Sequence, residues 1–342
     1  MPVRLMEGRP GPESSGFSRA LNIGLINNMP DAALKATERQ FTTLLDAASP
    51  DVEVNLYLYA LPAVPRGEEG QHHISRSYLD AETLFASHLD GLIVTGTEPR
   101  AAELRDEPYW HSLTRVIEWA EANTRSTVWS CLAAHAAVQY LDGILRRRFV
   151  EKRFGVFECQ LTSAHELLAG IQSPPHVPHS RWNDIPAEQL AERGYTALTR
   201  SADGGVDAFI RQRRSLFLFF QGHPEYQSDT LLLEYRRDIG RFVKGERDDY
   251  PGLPKGYFDR ETEDLLAAVR ERIVSERCEN SLVHFPTALL STKVQATWRS
   301  ISTQIYRNWL GYQLAQKERD LSGAAVSVLP AGEASEARPN LR

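Results

Sequence analysis

Three cysteines in 342 residues, Cys131, Cys159 and Cys278, are too few and too scattered for a disulfide framework or a zinc site. The expected compartment is therefore a reducing cytoplasm, and no metal is expected. No apolar run approaches the roughly 20 residues that span a bilayer, which speaks against a membrane partner. Residues 1–19 are rich in Gly, Pro and Ser and hold no apolar core. They read as a flexible leader rather than a signal peptide. Positive charge is also in short supply: 39 Lys and Arg against 45 Asp and Glu give a net charge of −6. That balance leaves no global footprint for nucleic acid. Any anionic ligand must be met by a local basic cluster. The chain shows no internal repeat.

What is present is the composition of a soluble globular protein, 42% hydrophobic and 25% charged. Residues 20–320 read as a single α/β domain, and 321–342, rich in Ala, Gly, Ser and Pro, as a disordered tail. Leu21 to Ile26 is a first strand, and Asp31 to Ala47 has helical spacing of Leu34, Phe41, Leu44 and Leu45. Val52 to Leu61 is a second strand. Residues 62–79 read as a polar loop, with His72 and His73 in solvent because no Cys or spaced carboxylate completes a metal site. Asp90-Gly-Leu-Ile-Val-Thr-Gly96 is a near-continuous apolar strand, suited to a parallel sheet buried on both faces. A helix from about Tyr109 to Ala122 follows. This alternation predicts a doubly wound, mostly parallel, flavodoxin-like sheet with flanking helices, whose ligands gather at the carboxyl ends of the strands.

The organising stretch is Ser126-Thr-Val-Trp-Ser-Cys-Leu-Ala-Ala-His-Ala-Ala-Val-Gln-Tyr140. A β-favouring run passes straight into an Ala-rich helix, with Cys131 at the junction. A sharp strand-to-helix turn lifts that side chain above the sheet, beside free N–H groups that favour a thiolate. A buried structural thiol fits the same stretch, which alone leaves both readings open. Further on, a strongly apolar strand Ser215 to Phe220 ends in Gln221-Gly-His-Pro-Glu-Tyr226. Extended residues two apart point to the same side, so His223 and Glu225 leave one sheet edge together. With Cys131 at a neighbouring strand end, the set fits nucleophilic acyl transfer: thiol, general base, orienting carboxylate. Between these strands, 143–161 read as short strands and turns, and 174–182 as a Pro-rich loop. Helices are expected over Thr230 to Val243, Glu261 to Glu276 and roughly Val294 to Gln316.

These residues fall among motifs that carry a resemblance. They include Asn28-Met-Pro30, Thr37-Glu-Arg-Gln-Phe41, Tyr109-Trp110, Glu151-Lys152, Pro178-His-Ser-Arg181, Gly222-His-Pro-Glu-Tyr226, Arg237-Asp238, Trp298-Arg-Ser300 and Asn308-Trp-Leu310. Together they resemble the homoserine O-acyltransferases of the succinyltransferase type, whose fold is class I glutamine-amidotransferase-like. The resemblance implies an enzyme of methionine biosynthesis with ping-pong kinetics. An acyl group would pass from acyl-CoA to Cys131 as a thioester, then to the hydroxyl of L-homoserine. By the same resemblance Lys152, Ser180 and Arg237 line the amino-acid site. The backbone N–H of Leu132, with one from the Gly96 loop, would form the oxyanion hole. Acyl-CoA would be a co-substrate, with no permanently bound cofactor, and a homodimer is allowed rather than required.

The chain departs from that pattern in three places: a segment after Met29-Pro30 that is two residues longer, an insertion at about 255–294, and His135 where Gln is expected. The position that the resemblance ties to acyl choice, four residues past Gly96, is Arg100. An Arg there would attract the free carboxylate of a succinyl group, favouring succinyl-CoA over acetyl-CoA. The cluster Arg146 to Arg153 is a candidate for the CoA phosphates. Alternatives of the same family are homoserine or serine O-acetyl transfer. A glutamine amidotransferase-like hydrolase is disfavoured by Trp129 and Ala133, which stand where Gly flanks the nucleophile in those enzymes.

Overall fold

The computed structural model describes residues 3–10, 20–203 and 205–327. In chain order it contains β1 (Val3–Leu5), β2 (Ala20–Ile26), α1 (Asp31–Ala48), β3 (Glu53–Tyr59), α2 (Glu68–Ser77), α3 (Ala81–Phe85), β4 (Gly91–Val94), α4 (Trp110–Asn123), β5 (Ser126–Ser130) and α5 (Leu132–Asp142). Then follow β6 (Arg147–Leu161), β7 (His176–Asp184), α6 (Ala187–Glu192), β8 (Thr196–Ala197), β9 (Thr199–Ser201), β10 (Ala208–Gln212) and β11 (Leu216–Phe220). Four helices complete the described chain: α7 (Thr230–Val243), α8 (Arg260–Glu276), α9 (Thr287–Lys293) and α10 (Arg299–Ser327).

The central sheet has eight strands in the order β1-β3-β2-β4-β5-β11-β10-β8. Every pair from β1 to β11 is parallel, and only β10 is reversed, pairing antiparallel with β11 on one side and β8 on the other. The strands at the centre, Gly91–Val94, Ser126–Ser130 and Leu216–Phe220, are buried at every residue. Their unbroken apolar runs follow from helices covering both faces. On one face Leu92, Val94, Trp129 and Phe217 pack under α4 and α5 through Leu113, Val116, Ala133 and Ala137. On the other, Ile93, Val128 and Leu218 pack under α1 and α10 through Phe41, Leu44, Trp309 and Leu310. Each fully buried large side chain of this kind contributes about 1.5–3 kcal/mol. The doubly wound sheet expected from the sequence is thus present.

Several local expectations are corrected. Val3–Leu5, inside the expected leader, is an edge strand parallel to β3. The stretch expected as a polar loop at 62–79 contains α2, and His73 there bonds Glu38 at 2.6 Å instead of facing solvent. Residues 147–161 form one long strand instead of several short ones. The Pro-rich stretch at 174–182 is largely strand β7, antiparallel to β6. Its prolines are tolerated because β7 is an edge strand of its three-stranded sheet. Helix α10 continues through Ser327, into the expected tail. Residues 11–19 and 328–342, which carry the rest of the leader and tail readings, lie outside the described residues. The 255–294 segment folds as α8, a 3-10 turn and α9. It packs Leu266, Ile273, Phe285 and Leu290 against Leu231, Tyr235 and Ile239 of α7.

Candidate active site

Cys131 sits between β5 and α5 with φ 52° and ψ −114°. A non-glycine residue in that region is strained and persists only where its surroundings hold it. Here they do. The Cys131 amide donates to Phe220 O at 2.7 Å, at the end of β11. The Cys131 carbonyl accepts from Ala134 N at 3.0 Å, opening α5. The strand ends are therefore stitched together at Cys131, the candidate nucleophile, which is part-exposed.

Gly96 faces this turn from the loop after β4. A Cβ added there would lie 2.8 Å from the Leu132 amide nitrogen and 2.7 Å from Leu132 Cβ. Only glycine allows that approach. A small cavity between the two is lined by Asn28, Thr95, Gly96, Tyr109, Leu132 and Ala133. Asn28 ties its walls, with its amide on Thr95 Oγ1 at 2.9 Å and its side chain on Thr95 O at 3.0 Å.

His223 arrives three residues past β11. Its backbone amide donates to Pro178 O at 2.9 Å, so β7 holds the turn. Its Nδ1 lies 2.8 Å from Glu225 Oε1, and Cys131 lies close enough to act on the charge of its ring. With Nδ1 committed to Glu225, the other ring nitrogen faces the thiol. Burial alone disfavours a charged imidazole. The charges of Cys131 and Glu225, with the hydrogen bond to Glu225, outweigh it and hold His223 well above its ordinary pKa. The Tyr226 ring stacks on the imidazole, 4.2 Å between centroids. The structure brings the three candidates Cys131, His223 and Glu225 together at one place.

Lys152, Ser180 and Arg237 also converge. Lys152 Nζ lies 3.1 Å from Asp238 Oδ2 and 3.8 Å from Glu234 Oε2. Ser180 Oγ donates to Glu234, and Arg237 reaches Asp238 Oδ1 at 3.1 Å and Glu234 at 3.8 Å. Burial raises the cost of charge on Asp238, but Lys152 and Arg237 hold its carboxyl below the usual range. Glu234 was not singled out in the sequence, yet it is the hub: Tyr226 OH also donates to it at 2.5 Å. Its only sequence signal is its place three residues before Arg237 on a helix. Through Tyr226 the cluster touches His223 directly.

Arg100 lies away from this cluster. Its amide and that of Ala101 donate to Glu107 Oε1 at 2.6 and 2.8 Å, while its side chain is exposed. In the basic hairpin, Arg146 bonds Ala102 O, Arg147 lies 3.4 Å from Asp184, Arg148 lies over Trp182, and Arg153 pairs with Asp203. His135 is buried. Desolvation, with Arg181 and Arg146 nearby, lowers it to about 3, so it is neutral, with Gln221 close by. Among the described residues no group of three or more His, Cys, Asp or Glu could hold a metal ion. None of the helices there is long and apolar enough to cross a membrane.

The homoserine O-succinyltransferase family model matches residues 14–319. The chain belongs to the homoserine O-succinyltransferase family. A relative from Rhodopseudomonas palustris named homoserine O-succinyltransferase is 49% identical over 87% of this chain and 90% of its own. One of the same name from Bradyrhizobium japonicum is 46% identical over 85% and 90%. Among solved structures, a glutamine amidotransferase from Methylobacillus flagellatus aligns at 14% identity with a TM-score of 0.48, covering 86% of this chain and 95% of that one. Membership makes the chain a transferase. The sites just described sit at the carboxyl ends of β4, β5 and β11, where a parallel sheet of this kind presents its ligands.

Proposed function

We propose that the protein transfers a succinyl group from succinyl-CoA to the hydroxyl of L-homoserine, through a thioester on Cys131. The observation that carries this reading is the His223–Glu225 pair set beside Cys131 at a strained strand-to-helix turn. The cationic imidazole stabilises charge on Cys131 Sγ as the sulfur attacks the acyl carbonyl. The Leu132 N–H at the α5 N-terminus, with one from Gly96, receives the developing oxyanion. The bond to the CoA sulfur breaks, and His223 returns its proton to that leaving group. Now neutral, His223 takes the proton of the homoserine hydroxyl as its oxygen attacks the thioester; the Cys131 Sγ–acyl bond breaks, leaving the O-succinyl ester and the Cys131 thiolate beside the reprotonated imidazole. Glu225 keeps the imidazole oriented through both halves.

The acceptor is a zwitterion, and the α7 cluster is suited to one. Arg237 is the bidentate partner for a carboxylate, supported by Lys152 and Ser180. Glu234 and Asp238 would face the ammonium group. The cytoplasm remains the proposed location. Intact mass after mixing with succinyl-CoA tests the reading: an added succinyl mass on Cys131 should appear and then vanish when L-homoserine is added. No adduct, or an adduct indifferent to homoserine, would reject it.

A further inference from the structure

Alongside the Lys152–Ser180–Arg237 cluster, and sharing Arg237 with it, α7 carries an open groove of about 420 Å³. Its lining includes Arg236, Arg237, Arg241 and Lys244, against the single carboxylate of Glu246. Arg237 and Arg241 are engaged with Asp238, Glu234 and Glu98. Arg236 and Lys244 are exposed, and among the described residues neither has an ion-pair partner. Positions 236, 240 and 244 are four apart, so they form one stripe along the helix. The middle position is Gly240.

That glycine has no structural reason to be there. It lies inside a helix, where Gly costs about 1 kcal/mol relative to Ala. A Cβ on it would meet only Leu282 Cδ1 at 3.5 Å, an ordinary contact. The absent side chain leaves space between two unpaired cations for a phosphate group to approach the helix. The groove also borders the chemistry. Arg241 holds Glu98 at 3.2 Å, two residues from Gly96, and Glu234, on the opposite face of α7 two residues before Arg236, contacts Tyr226. From Glu234 to Lys244 is about 15 Å along the helix axis, a span for an extended arm between phosphates and thioester.

We infer that the Arg236–Gly240–Lys244 stripe binds the phosphate groups of the CoA donor. This rests on the acyl-CoA reading above. The basic hairpin at 146–153 is the less suited surface, since Arg146, Arg147 and Arg153 already have partners. In an acidic protein, two unpaired cations at the mouth of the site are the local attraction a polyanion needs.

The test compares two donors with the same acyl group: succinyl-CoA and the succinyl thioester of N-acetylcysteamine, which has no phosphate. The double variant Arg236→Glu, Lys244→Glu should raise KM for succinyl-CoA about tenfold or more and leave kcat/KM for the phosphate-free thioester nearly unchanged. Gly240→Ala should raise the same KM while leaving Tm unchanged or higher, because Ala favours the helix. Calorimetry of free CoA on wild type and variants reads the groove without turnover. Unchanged CoA affinity in the variants, or equal loss with both donors, overturns the assignment. So does a loss of CoA affinity confined to charge reversal at Arg147 and Arg148. If neither donor acylates Cys131 but the variants still lose CoA affinity, the groove stands and the proposed reaction fails.

Discussion

The two sides of the candidate site are built from different materials. Around Cys131 the polar groups carry no formal charge apart from His223 and Glu225: the Leu132 amide, the Gly96 loop, the amide of Cys131 itself on Phe220 O, and the Asn28 and Thr95 side chains. Small side chains, as at Ala133 and Ala136, pack beside them. Around α7 the backbone is ordinary helix and the work falls to ionised side chains: Lys152, Glu234, Arg237 and Asp238. The first side suits charge that develops and disappears during acyl transfer, which fixed dipoles stabilise without reorganising. The second suits a ligand that carries permanent charges. His223 joins them, beside Cys131 on one side and stacked on Tyr226 on the other. The contrast implies that damage to the first side lowers kcat for every acceptor. Damage to the second raises KM for one acceptor.

The largest effect tests the junction. Cys131→Ala should abolish turnover and adduct formation, and His223→Ala should cost about three orders of magnitude or more in kcat/KM. Near-normal turnover by either variant would remove the site. The backbone side is tested next by Gly96→Ala. Its methyl must displace the Leu132 turn, so kcat should fall by about 10²–10³ with little change in the acceptor KM. A variant impaired chiefly in acceptor KM would contradict the division. The side-chain side is tested by Arg237→Ala, which should raise KM for homoserine by about tenfold to a hundredfold. Cys131 should still be acylated at the normal rate in a single-turnover measurement. A matching loss in that first half-reaction would merge the two sides into one.

A smaller effect probes where the two sides meet below the catalytic layer, at His135 of α5 and Gln221 of the His223 loop. His135 is neutral in the fold, lowered to about 3. The unfolded chain, near its ordinary 6.5, takes up the proton first as pH falls. His135 therefore contributes stability above about pH 6.5 that is lost on acidification towards 3. His135→Gln should narrow the fall in Tm between pH 7 and pH 5 by a few degrees. An identical fall in both proteins would show that His135 is not what titrates.

The division also explains what the sequence made legible. Cys131, His223 and Glu225 are readable because each is fixed by its own neighbours: a strand turning into a helix, and two residues at extended spacing. The sheet is readable because its central strands are apolar throughout. Glu234 was not, because its partners Lys152, Ser180 and Tyr226 come from three other segments and only the fold brings them together. Helix α2 was hidden by its polar surface, which buries only Gly70. β7 was hidden by prolines that an edge strand accommodates. Lys152, Ser180 and Arg237 were nameable by resemblance alone, and their carboxylate partners show what that resemblance omitted.

The smallest expected effect concerns donor choice at Arg100, which belongs to neither side. Its backbone is anchored, because Glu107 is buried and accepts both the Arg100 and Ala101 amides. Its side chain is exposed. A guanidinium there can swing over the mouth of the Gly96 loop and meet the free carboxylate of a succinyl group, or swing away and leave room for the chain. The first motion favours succinyl-CoA by charge, and the second keeps the bulk of the Arg side chain out of the space the succinyl chain needs. Water screens such a contact, so its value is about 1 kcal/mol or less, a several-fold preference and not an absolute one. Arg100→Glu reverses the charge at the same anchored position and should shift the ratio of kcat/KM for succinyl-CoA over acetyl-CoA downward by about tenfold, since an attraction is replaced by a repulsion of similar size. Raising ionic strength should narrow the wild-type ratio in the same direction, because an exposed pair is screened. A wild type that prefers acetyl-CoA, or a ratio indifferent to both the substitution and salt, would show that acyl choice is set in the cavity between Gly96 and Tyr109 rather than at Arg100.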